Sequence, residues 1–472
     1  MAAVNENSGK SNLISLLAAA VLLAGAIFLP GMGSFSKEMV SAACLILFAV
    51  LLWVRQPIPI GISSLLVVIL EPLLGLMPSM SAAFAGYANP SHYFTIASFG
   101  VAIAIRKTSI SARLLKKLLE ICRGNAKKII FAFMLLTYLI SMIMSDIAAV
   151  VIFLAFALSL LEILREEWGE EQERRLGKVL LLSLPLASVI GGTATPMGST
   201  VNVLALNLLK DNAGIHVTFL QWCVAGLPIS LVLLVAAWLI LIWFYRVEAL
   251  PGKVTEKFIE KIQREKKSHP AEKKILVIVG LMIVAWVAGT WVTALNTTTV
   301  AVIGLACMVL PQVNAFSWKE FRDGVPWEIP LMGGATVSLG TLAKDTGLVQ
   351  LAADRITSSF PGMGAMSMVV MLGLLVTLVL LVIPVGPAAV SMLIIPVYTM
   401  AEALHLNPVM AVITVGIFAS NSTILPLNAV VLMSYTKGYW KIKELAKAGI
   451  IISVLWIILA ALWIPFVSGA MY

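Results

Sequence analysis

Residues 191–202, GGTATPMGSTVN, interrupt an apolar stretch that runs from about residue 179 to about residue 209. Gly and Pro end helices, and the Thr, Ser and Asn residues place polar side chains at the interruption. A second apolar stretch, 409–434, is interrupted in the same way by SNSTILPLN at residues 420–428. Each stretch is therefore predicted to form a helix that is broken near its middle.

The composition of the chain defines the environment of these breaks. Of its 472 residues, 60% are hydrophobic and 12% are charged, and the mean hydropathy is +0.99. Soluble domains carry about 25% charged residues, so a soluble enzyme is excluded. A membrane-spanning helix needs roughly 20 apolar residues, and such stretches recur along the chain. The predicted fold is an all-α polytopic membrane protein with about eleven transmembrane helices.

Two apolar stretches are too long for one span. They cover residues 129–164 and 362–402, whereas a single helix needs about 17–25 residues. Met144–Ser145–Asp146 interrupts the first stretch, and Ile383–Pro384–Val385–Gly386–Pro387 interrupts the second. Each stretch is predicted to form a re-entrant helical hairpin, which enters and leaves the membrane on the same side.

The basic residues predict the orientation. If the N-terminus is cytoplasmic and the hairpins do not cross, 29 of the 33 Lys and Arg residues lie inside, and the C-terminus lies outside. The four outside are Lys37, Lys210, Lys344 and Arg355. Such a bias is the positive-inside pattern of a multi-pass protein of the cell membrane. The net charge of +9 therefore reports topology and predicts no nucleic-acid partner.

An internal repeat relates the two halves of the chain. GVAIAIRKTSISARLLKKLLE at 100–120 resembles GATVSLGTLAKDTGLVQLAADRI at 334–356, and the topology inverts one relative to the other. Inverted repeats with broken helices are typical of secondary transporters. The predicted domains are N-terminal scaffold helices (1–92), a first transport repeat (93–220), further scaffold helices with a cytoplasmic linker at 246–274 (221–326), a second transport repeat (327–435) and a C-terminal scaffold helix (436–472).

Four breaks supplied by Ser, Thr, Asn and Gly indicate one binding site. A half-helix that begins within the membrane presents free N–H groups, which favour an anion, while free carbonyl groups can bind a cation. Irregular backbone is tolerated at this depth only where it lines an enclosed cavity. Among the intramembrane acids, Asp146 is predicted to bind a cation or carry a proton. Glu71 is predicted to be structural or interfacial, and His92 to lie at the surface.

At these residues the chain resembles the divalent-anion:sodium symporter family of dicarboxylate, citrate and sulfate carriers. GGTATPMGSTVN is similar to the family's Gly-Gly-Thr-Ala-Thr-x-x-Gly-Ser/Thr-Pro-Pro-Asn loop. The resemblance implies a first sodium site made of Ser141, Ser145, Asp146 and the backbone at Gly198. It also implies that Ser145, the backbone of Asp146 and Ile147, and Ser199 hold the substrate. Further candidates for substrate binding are Asn202, Gly386, Pro387, Asn421, Pro426 and Asn428.

The sequence departs from the family pattern at the hairpin tips. The family has Ser-Asn-Thr at both tips, whereas the first tip here reads Ser145–Asp146–Ile147 and the second reads Val385–Gly386–Pro387. The last broken helix has Leu425–Pro426–Leu427–Asn428 in place of Thr-Pro-Pro-Asn. These departures leave open whether a second sodium site survives. Ser420–Asn421–Ser422–Thr423 lies one turn earlier and could supply the missing polar groups.

The predicted function is secondary active transport of a small anion, a di- or tricarboxylate, by alternating access with sodium or proton coupling. Anion exchange without a coupled cation and transport of sulfate or a sulfonate are the alternatives. An intramembrane enzyme is disfavoured, because no acid pair, Ser/His arrangement or metal cluster is apparent. A channel is disfavoured because hairpin tips with a lone acid are not expected of one. No cofactor is predicted, and membrane lipid is the expected surrounding. The resemblance further implies a homodimer and an elevator-like movement.

Overall fold

The computed structural model describes residues 6–469, except 246, 248, 265–268, 349, 352–353, 355–361 and 383–385. Within these residues the chain is helical and contains no β-strand, apart from an isolated bridge between Met32 and Phe35. Several helices begin at a residue whose side chain accepts a hydrogen bond from an N–H group of the first turn. Ser36, Asn125 and Thr218 are such residues. The prediction of an all-α fold is confirmed.

The first half of the chain forms eleven helices that the structure describes. They are α1 (Glu6–Phe28), α2 (Lys37–Arg55), α3 (Ile60–Leu73), α4 (Met80–Phe84), α5 (Pro90–Arg106), α6 (Ile110–Cys122), α7 (Ala126–Ser141), α8 (Asp146–Trp168), α9 (Glu170–Gly192), α10 (Thr200–Ala213) and α11 (Phe219–Phe244). Two short 3-10 helices, Ala85–Ala88 and Pro196–Gly198, lie between them.

The second half continues in the same way over the residues that the structure describes. Its helices are α12 (Gly252–Arg264), α13 (Glu272–Ala288), α14 (Thr297–Val309), α15 (Trp318–Gly324), α16 (Glu328–Asp345), α17 (Ala365–Val382), α18 (Gly386–Ala403), α19 (Pro408–Phe418), α20 (Ala429–Tyr435) and α21 (Ile442–Ser468). The part of the repeated sequence that follows Leu348 lies largely outside the described residues.

Four described helices, α8, α9, α11 and α21, are long and apolar enough to cross a membrane. Shorter apolar helices, including α3, α14 and α19, accompany them. Many of their large apolar side chains are exposed, as at Leu239 and Leu462. Apolar surface of this extent suits a lipid surrounding. The number of crossings and the side on which each hairpin opens stay predictions.

Three of the four predicted interruptions lie where the sequence places them. Helix α7 ends at Ser141 and α8 begins at Asp146, so the first long stretch is two helices. The second long stretch is divided into α17 and α18, and its break at 383–385 lies outside the described residues. The stretch 179–209 is divided between α9 and α10, and the stretch 409–434 between α19 and α20.

The buried apolar side chains form two clusters. The larger one covers most of the chain from α5 onward. The smaller one joins α2 and α3 to α16, through residues that include Val67, Val68, Ala335 and Leu339. Helix α16 therefore packs against the N-terminal helices, although the sequence groups it with the second transport repeat. The predicted domain boundaries otherwise stay predictions.

The polar linker at 246–274 contains an amphipathic helix that packs against the first hairpin. The apolar face of α12 is buried, and Phe258 lies with its ring centroid 6.5 Å from that of Phe133 in α7. On the other face, Lys257 pairs with Glu167 of α8, and Lys253 Nζ lies 3.1 Å from Glu167 Oε2. Hydrogen bonds from these two lysines hold the pKa of Glu167 below its usual value. Helix α12, within the described part of the linker, thus packs against the base of the hairpin.

Gly449 permits the last helix to approach the second polar break closely. A Cβ atom at Gly449 would overlap the carbonyl oxygen of Thr423, whereas a Cβ atom at Gly280 in α13 would have no neighbour within 4 Å. We expect Gly449→Ala to destabilise the protein by about 1–3 kcal/mol, as overpacking does in well-packed cores. Gly280→Ala is the matched control. A thermal unfolding measurement on both purified variants in detergent checks this, and equal melting temperatures would contradict the packing.

Candidate functional site

The tip of the first hairpin joins a carboxylate to two serine hydroxyls. Asp146 is the first residue of α8 and is half-buried. Ser141 Oγ lies 2.6 Å from Asp146 Oδ1 and 2.7 Å from the carbonyl oxygen of Ser188. The Ser188 hydroxyl donates to the carbonyl oxygen of Asp146 over 2.8 Å. Because Ser141 has one proton for two acceptors, this cluster is rich in oxygen atoms and poor in donors.

Two glycines bring the first broken helix against this tip. A Cβ atom at Gly192, the last residue of α9, would overlap the carboxylate of Asp146. A Cβ atom at Gly198 would lie 2.5 Å from the carbonyl oxygen of Gly192. The absence of side chains at these positions therefore allows backbone and carboxylate oxygens to lie close together.

Side chains satisfy the carbonyl groups that the break leaves without helical partners. Asn202 Nδ2 donates to the carbonyl oxygens of Gly192 and Thr195, over 2.8 Å and 2.9 Å. The Thr195 hydroxyl donates to the carbonyl oxygen of Met142 over 2.6 Å, which ties the loop to the hairpin tip. Trp222 Nε1 of α11 donates to the carbonyl oxygen of Thr193 over 3.1 Å. Asn202 Oδ1 is buried and has no partner.

The breaks of the second half meet the same loop. Ser420 Oγ donates to Ser199 Oγ over 3.1 Å, so the two broken helices are in contact. A Cβ atom at Gly386 would lie 2.9 Å from both the Ala419 carbonyl oxygen and Val201 Cγ1. The start of α18 therefore lies between the two loops. A continuous series of contacts thus runs from Asp146 through Gly192, Asn202 and Ser199 to Ser420, and that these residues form one binding site stays a prediction.

The remaining candidate residues differ in how they lie. Ser145, Ile147 and Pro387 are half-buried at the starts of α8 and α18, and the hydroxyl of Ser145 makes no capping hydrogen bond to its helix. Pro426 is buried. Asn428 Oδ1 accepts a hydrogen bond from the N–H of Val431 and so begins α20.

Asn421 faces the last helix. Its Oδ1 accepts a hydrogen bond from Thr423 Oγ1 over 2.7 Å, and its Nδ2 donates to Ser453 Oγ of α21 over 3.3 Å. The side chain is 2% exposed. The amide that was predicted to restore the missing polar groups is therefore engaged in a buried network, and Ser420 is the residue of this segment that touches the first loop.

Three contributors were missed by the sequence reasoning. Ser188 donates to the carbonyl oxygen at the hairpin tip, and Trp222 donates to a carbonyl oxygen of the break. Thr195 links the break to the hairpin. Ser188 could have been noticed as a polar residue in an apolar stretch four positions before Gly192. Trp222 looks like an interfacial anchor in sequence, but its indole is fully buried. The surface position predicted for His92 is wrong, because the imidazole is 6% exposed and packs against Gly333 of α16.

The oxygen atoms at this site suit a hard cation as ligands. Carboxylate, hydroxyl and carbonyl oxygens are the ligands that such cations prefer. Ser141, Asp146 and the backbone near Gly192 and Gly198 supply them within the contacts described above. Among the described residues, no group of three or more His, Cys, Asp or Glu side chains could hold a metal ion.

Broken helices that meet at a cluster of oxygen atoms are typical of membrane transporters. A family model described as the sodium:sulfate symporter transmembrane region matches residues 10–468. The chain belongs to this family, and it is a multi-pass membrane transporter and not an enzyme.

Relatives and a solved structure agree with this assignment. An uncharacterized transporter of Haemophilus influenzae is 24% identical over 450 residues, covering 90% of this chain and 91% of that protein. The sodium-dependent dicarboxylate transporter SdcS of Staphylococcus saprophyticus is 22% identical over 488 residues, covering 98% and 92%. The crystal structure of the Alcanivorax borkumensis YdaH transporter matches with a TM-score of 0.51 at 12% identity, covering 97% and 98%. That last likeness is one of fold.

Gly192 offers a direct test of the close approach at the hairpin tip. A methyl group there would overlap the Asp146 carboxylate and push it away from Ser141. We expect Gly192→Ala to lower the transport rate in proteoliposomes at least tenfold, about 1.4 kcal/mol or more. Gly280→Ala, at an open position, is the control for the loss of a helical glycine. Transport equal to that of the control would show that the tip tolerates the methyl group.

Proposed function

We propose that this chain is a secondary active transporter that carries a small di- or tricarboxylate anion by alternating access, coupled to sodium. The observation that carries the proposal is the convergence of the helix breaks through Gly192, Ser199, Gly386 and Ser420. Relatives named as sodium-dependent dicarboxylate transporters support both the substrate class and the coupling ion.

Helix starts supply the attraction for the anion. Helices α8, α10 and α18 begin at Asp146, Thr200 and Gly386, beside the converging loops. The first N–H groups of each helix have no helical partner and carry a partial positive charge. The hydroxyls of Ser145, Ser199 and Ser420 can donate to carboxylate oxygens. A carboxylate can thus be held without a dedicated Arg or Lys.

Asp146 supplies the coupling. An ionised carboxylate beside the anion site repels a dianion, and in a low-dielectric site this repulsion is strong. A cation bound by Asp146 and Ser141 removes the repulsion, so cation binding raises the affinity for the anion. The reverse holds by linkage, because coupling free energies are reciprocal. This is thermodynamic coupling through one shared charge.

The wider arrangement follows the family resemblance. In this proposal the N-terminus is cytoplasmic, the C-terminus lies outside, and the hairpins with the broken helices move as one body against a scaffold that forms a homodimer. The ordered contact between α12 and the base of the first hairpin is consistent with a linker that follows such a movement.

Two observations favour testing other substrates and other modes of coupling. The family model is described by sulfate, whereas the named relatives carry dicarboxylates. The second hairpin has no Ser-Asn-Thr tip, and Asn421 is engaged elsewhere, so the second half offers fewer polar groups to a large anion. Proton coupling and exchange of one anion for another are the competing modes.

Uptake into proteoliposomes tests the proposal. Labelled succinate, citrate and sulfate are each offered under an inward sodium gradient, an inward proton gradient, or an outward gradient of the same unlabelled anion. We expect saturable uptake of a carboxylate that accumulates only with sodium. Accumulation with protons alone would replace the coupling ion, and uptake that needs the internal anion would indicate exchange. Transport of none of the three anions under any gradient would remove the proposed substrate class.

Asp146→Asn tests the origin of the coupling. The amide keeps the size of the side chain and removes its charge, so anion binding no longer depends on a cation at this position. We expect sodium to stimulate uptake by less than about twofold in the variant, against at least tenfold in the unmodified protein, a difference of about 1 kcal/mol. The control is Asp323→Asn, since Asp323 is exposed and pairs with Arg322 in α15. An unchanged sodium dependence would remove Asp146 from the mechanism.

A further inference from the structure

A second intramembrane acid lies away from the transport site. Glu71 is in α3, and its side chain is 0% exposed. Among the described residues no ion pair includes it. Helices α2, α4 and α16 pack against α3. The charged residues of these helices lie toward the helix ends, and they are Lys37, Glu38, Arg55, Glu328, Lys344 and Asp345.

The contacts of Glu71 can be counted proton by proton. Ser338 Oγ of α16 lies 2.5 Å from Glu71 Oε2 and 2.8 Å from the carbonyl oxygen of Ala83. A serine hydroxyl has one proton, and the carbonyl oxygen can only accept. If Ser338 donates to Ala83, its contact with Glu71 needs a proton on the carboxyl group. If it donates to an ionised Glu71, its oxygen faces the Ala83 carbonyl oxygen with no proton between them.

The other oxygen of Glu71 excludes the ionised form more strongly. Glu71 Oε1 is buried and has no hydrogen-bond partner. The nearby donors are engaged elsewhere, because the Tyr87 hydroxyl donates to the carbonyl oxygen of Leu331 over 2.9 Å, and His92 Nε2 lies 3.0 Å from the Gly86 carbonyl oxygen. An isolated buried carboxylate is so costly that such groups become neutral instead.

We propose that Glu71 is a neutral carboxylic acid with a buried proton. It connects α3 to α16 through a hydrogen bond and takes no part in cation coupling. The two hydrogen bonds then have the same direction: the Glu71 carboxyl donates to Ser338 Oγ, and the Ser338 hydroxyl donates to the Ala83 carbonyl oxygen. Every close contact then has one proton, and only Oε1 stays unpaired, as an uncharged carbonyl oxygen and no longer as part of a carboxylate.

The packing around this chain of hydrogen bonds explains its position. A Cβ atom at Gly334 would overlap the Tyr87 ring, and one at Gly333 would lie 2.7 Å from the His92 ring. Helix α16 therefore presents a glycine face to the segment around Ala85–Ala88, and this face lets α16 and that segment approach closely. The glycine face and the protonated acid together stabilise the contact of α16 with α3 and with the segment Ala85–Ala88.

The site changes how pH effects on transport are interpreted, a point that rests on the proposed function. A change of rate with pH can come from a proton at Asp146 or from loss of the proton at Glu71. The two acids lie in different clusters, so each can be replaced separately. Glu71→Gln is the informative change, since the amide has the shape of the neutral acid and can donate to Ser338.

Infrared difference spectroscopy tests the proposal without any transport. The purified protein at neutral pH is compared with Glu71→Gln, Ser338→Ala and Asp146→Asn in the carbonyl-stretch region of protonated carboxyl groups. We expect one band that is lost in Glu71→Gln, shifted in Ser338→Ala and retained in Asp146→Asn. Glu71→Gln is also expected to transport within about twofold of the unmodified protein, because it copies the neutral acid.

Two results would overturn the proposal. One is a Glu71→Gln spectrum with no loss in the protonated-carboxyl region, accompanied by loss of an ionised carboxylate band. The other is a spectrum whose only protonated-carboxyl band disappears in Asp146→Asn and is unaffected by Glu71→Gln and Ser338→Ala. If Glu71→Gln does not fold, the Ser338→Ala comparison decides alone, because the hydroxyl is the one contact that the proton makes. Transport assays that fail for every variant leave the infrared result valid.

Discussion

The structure depends on one constraint: in hydrocarbon, a backbone carbonyl that leaves its helix must find another donor. The break after α9 meets this constraint with side chains. Asn202 donates to the carbonyl oxygens of Gly192 and Thr195, and Trp222 donates to that of Thr193. Each unsatisfied group at this depth costs several kcal/mol. The polar residues of the loop thus hold the break open, and the oxygen atoms that remain are the ones that can bind a ligand.

The sequence predicts the fold class and the location of the breaks, because Gly, Pro and polar residues inside apolar stretches are local signals. It predicts less well what each polar side chain contacts. Asn421 has a side chain that is typical of a binding residue, yet it donates a hydrogen bond to Ser453, which is distant in sequence. His92 stands at a helix start, and only the glycine face of α16 explains its burial. Ser188 gains its role from the crossing of α8 and α9. Such contacts are set by helix packing, which no local pattern encodes.

The two halves share a plan and differ in chemistry. In the first half, Asp146 and the surrounding serines place a charge and several oxygens at the hairpin tip. In the second half, Gly386 packs against the loops and the polar residues after Ala419 turn partly to α21. Symmetric backbone breaks therefore support an asymmetric site. In the proposed function the first half binds the cation and the second contributes to the anion site, and Ser420 meets Ser199 at the boundary between them.

The two intramembrane acids show how surroundings assign different chemistry to the same group. Asp146 is half-buried and has hydroxyl and carbonyl oxygens within reach, and several oxygen ligands are what a cation needs to lose its water. Glu71 also contacts one hydroxyl, that of Ser338, but it is fully enclosed, and the Tyr87 hydroxyl is already bonded to the Leu331 carbonyl oxygen. A proton needs one acceptor, whereas a sodium ion needs a shell. Exposure and position beside the helix breaks, and not the carboxyl group itself, therefore separate the proposed coupling residue Asp146 from the buried Glu71.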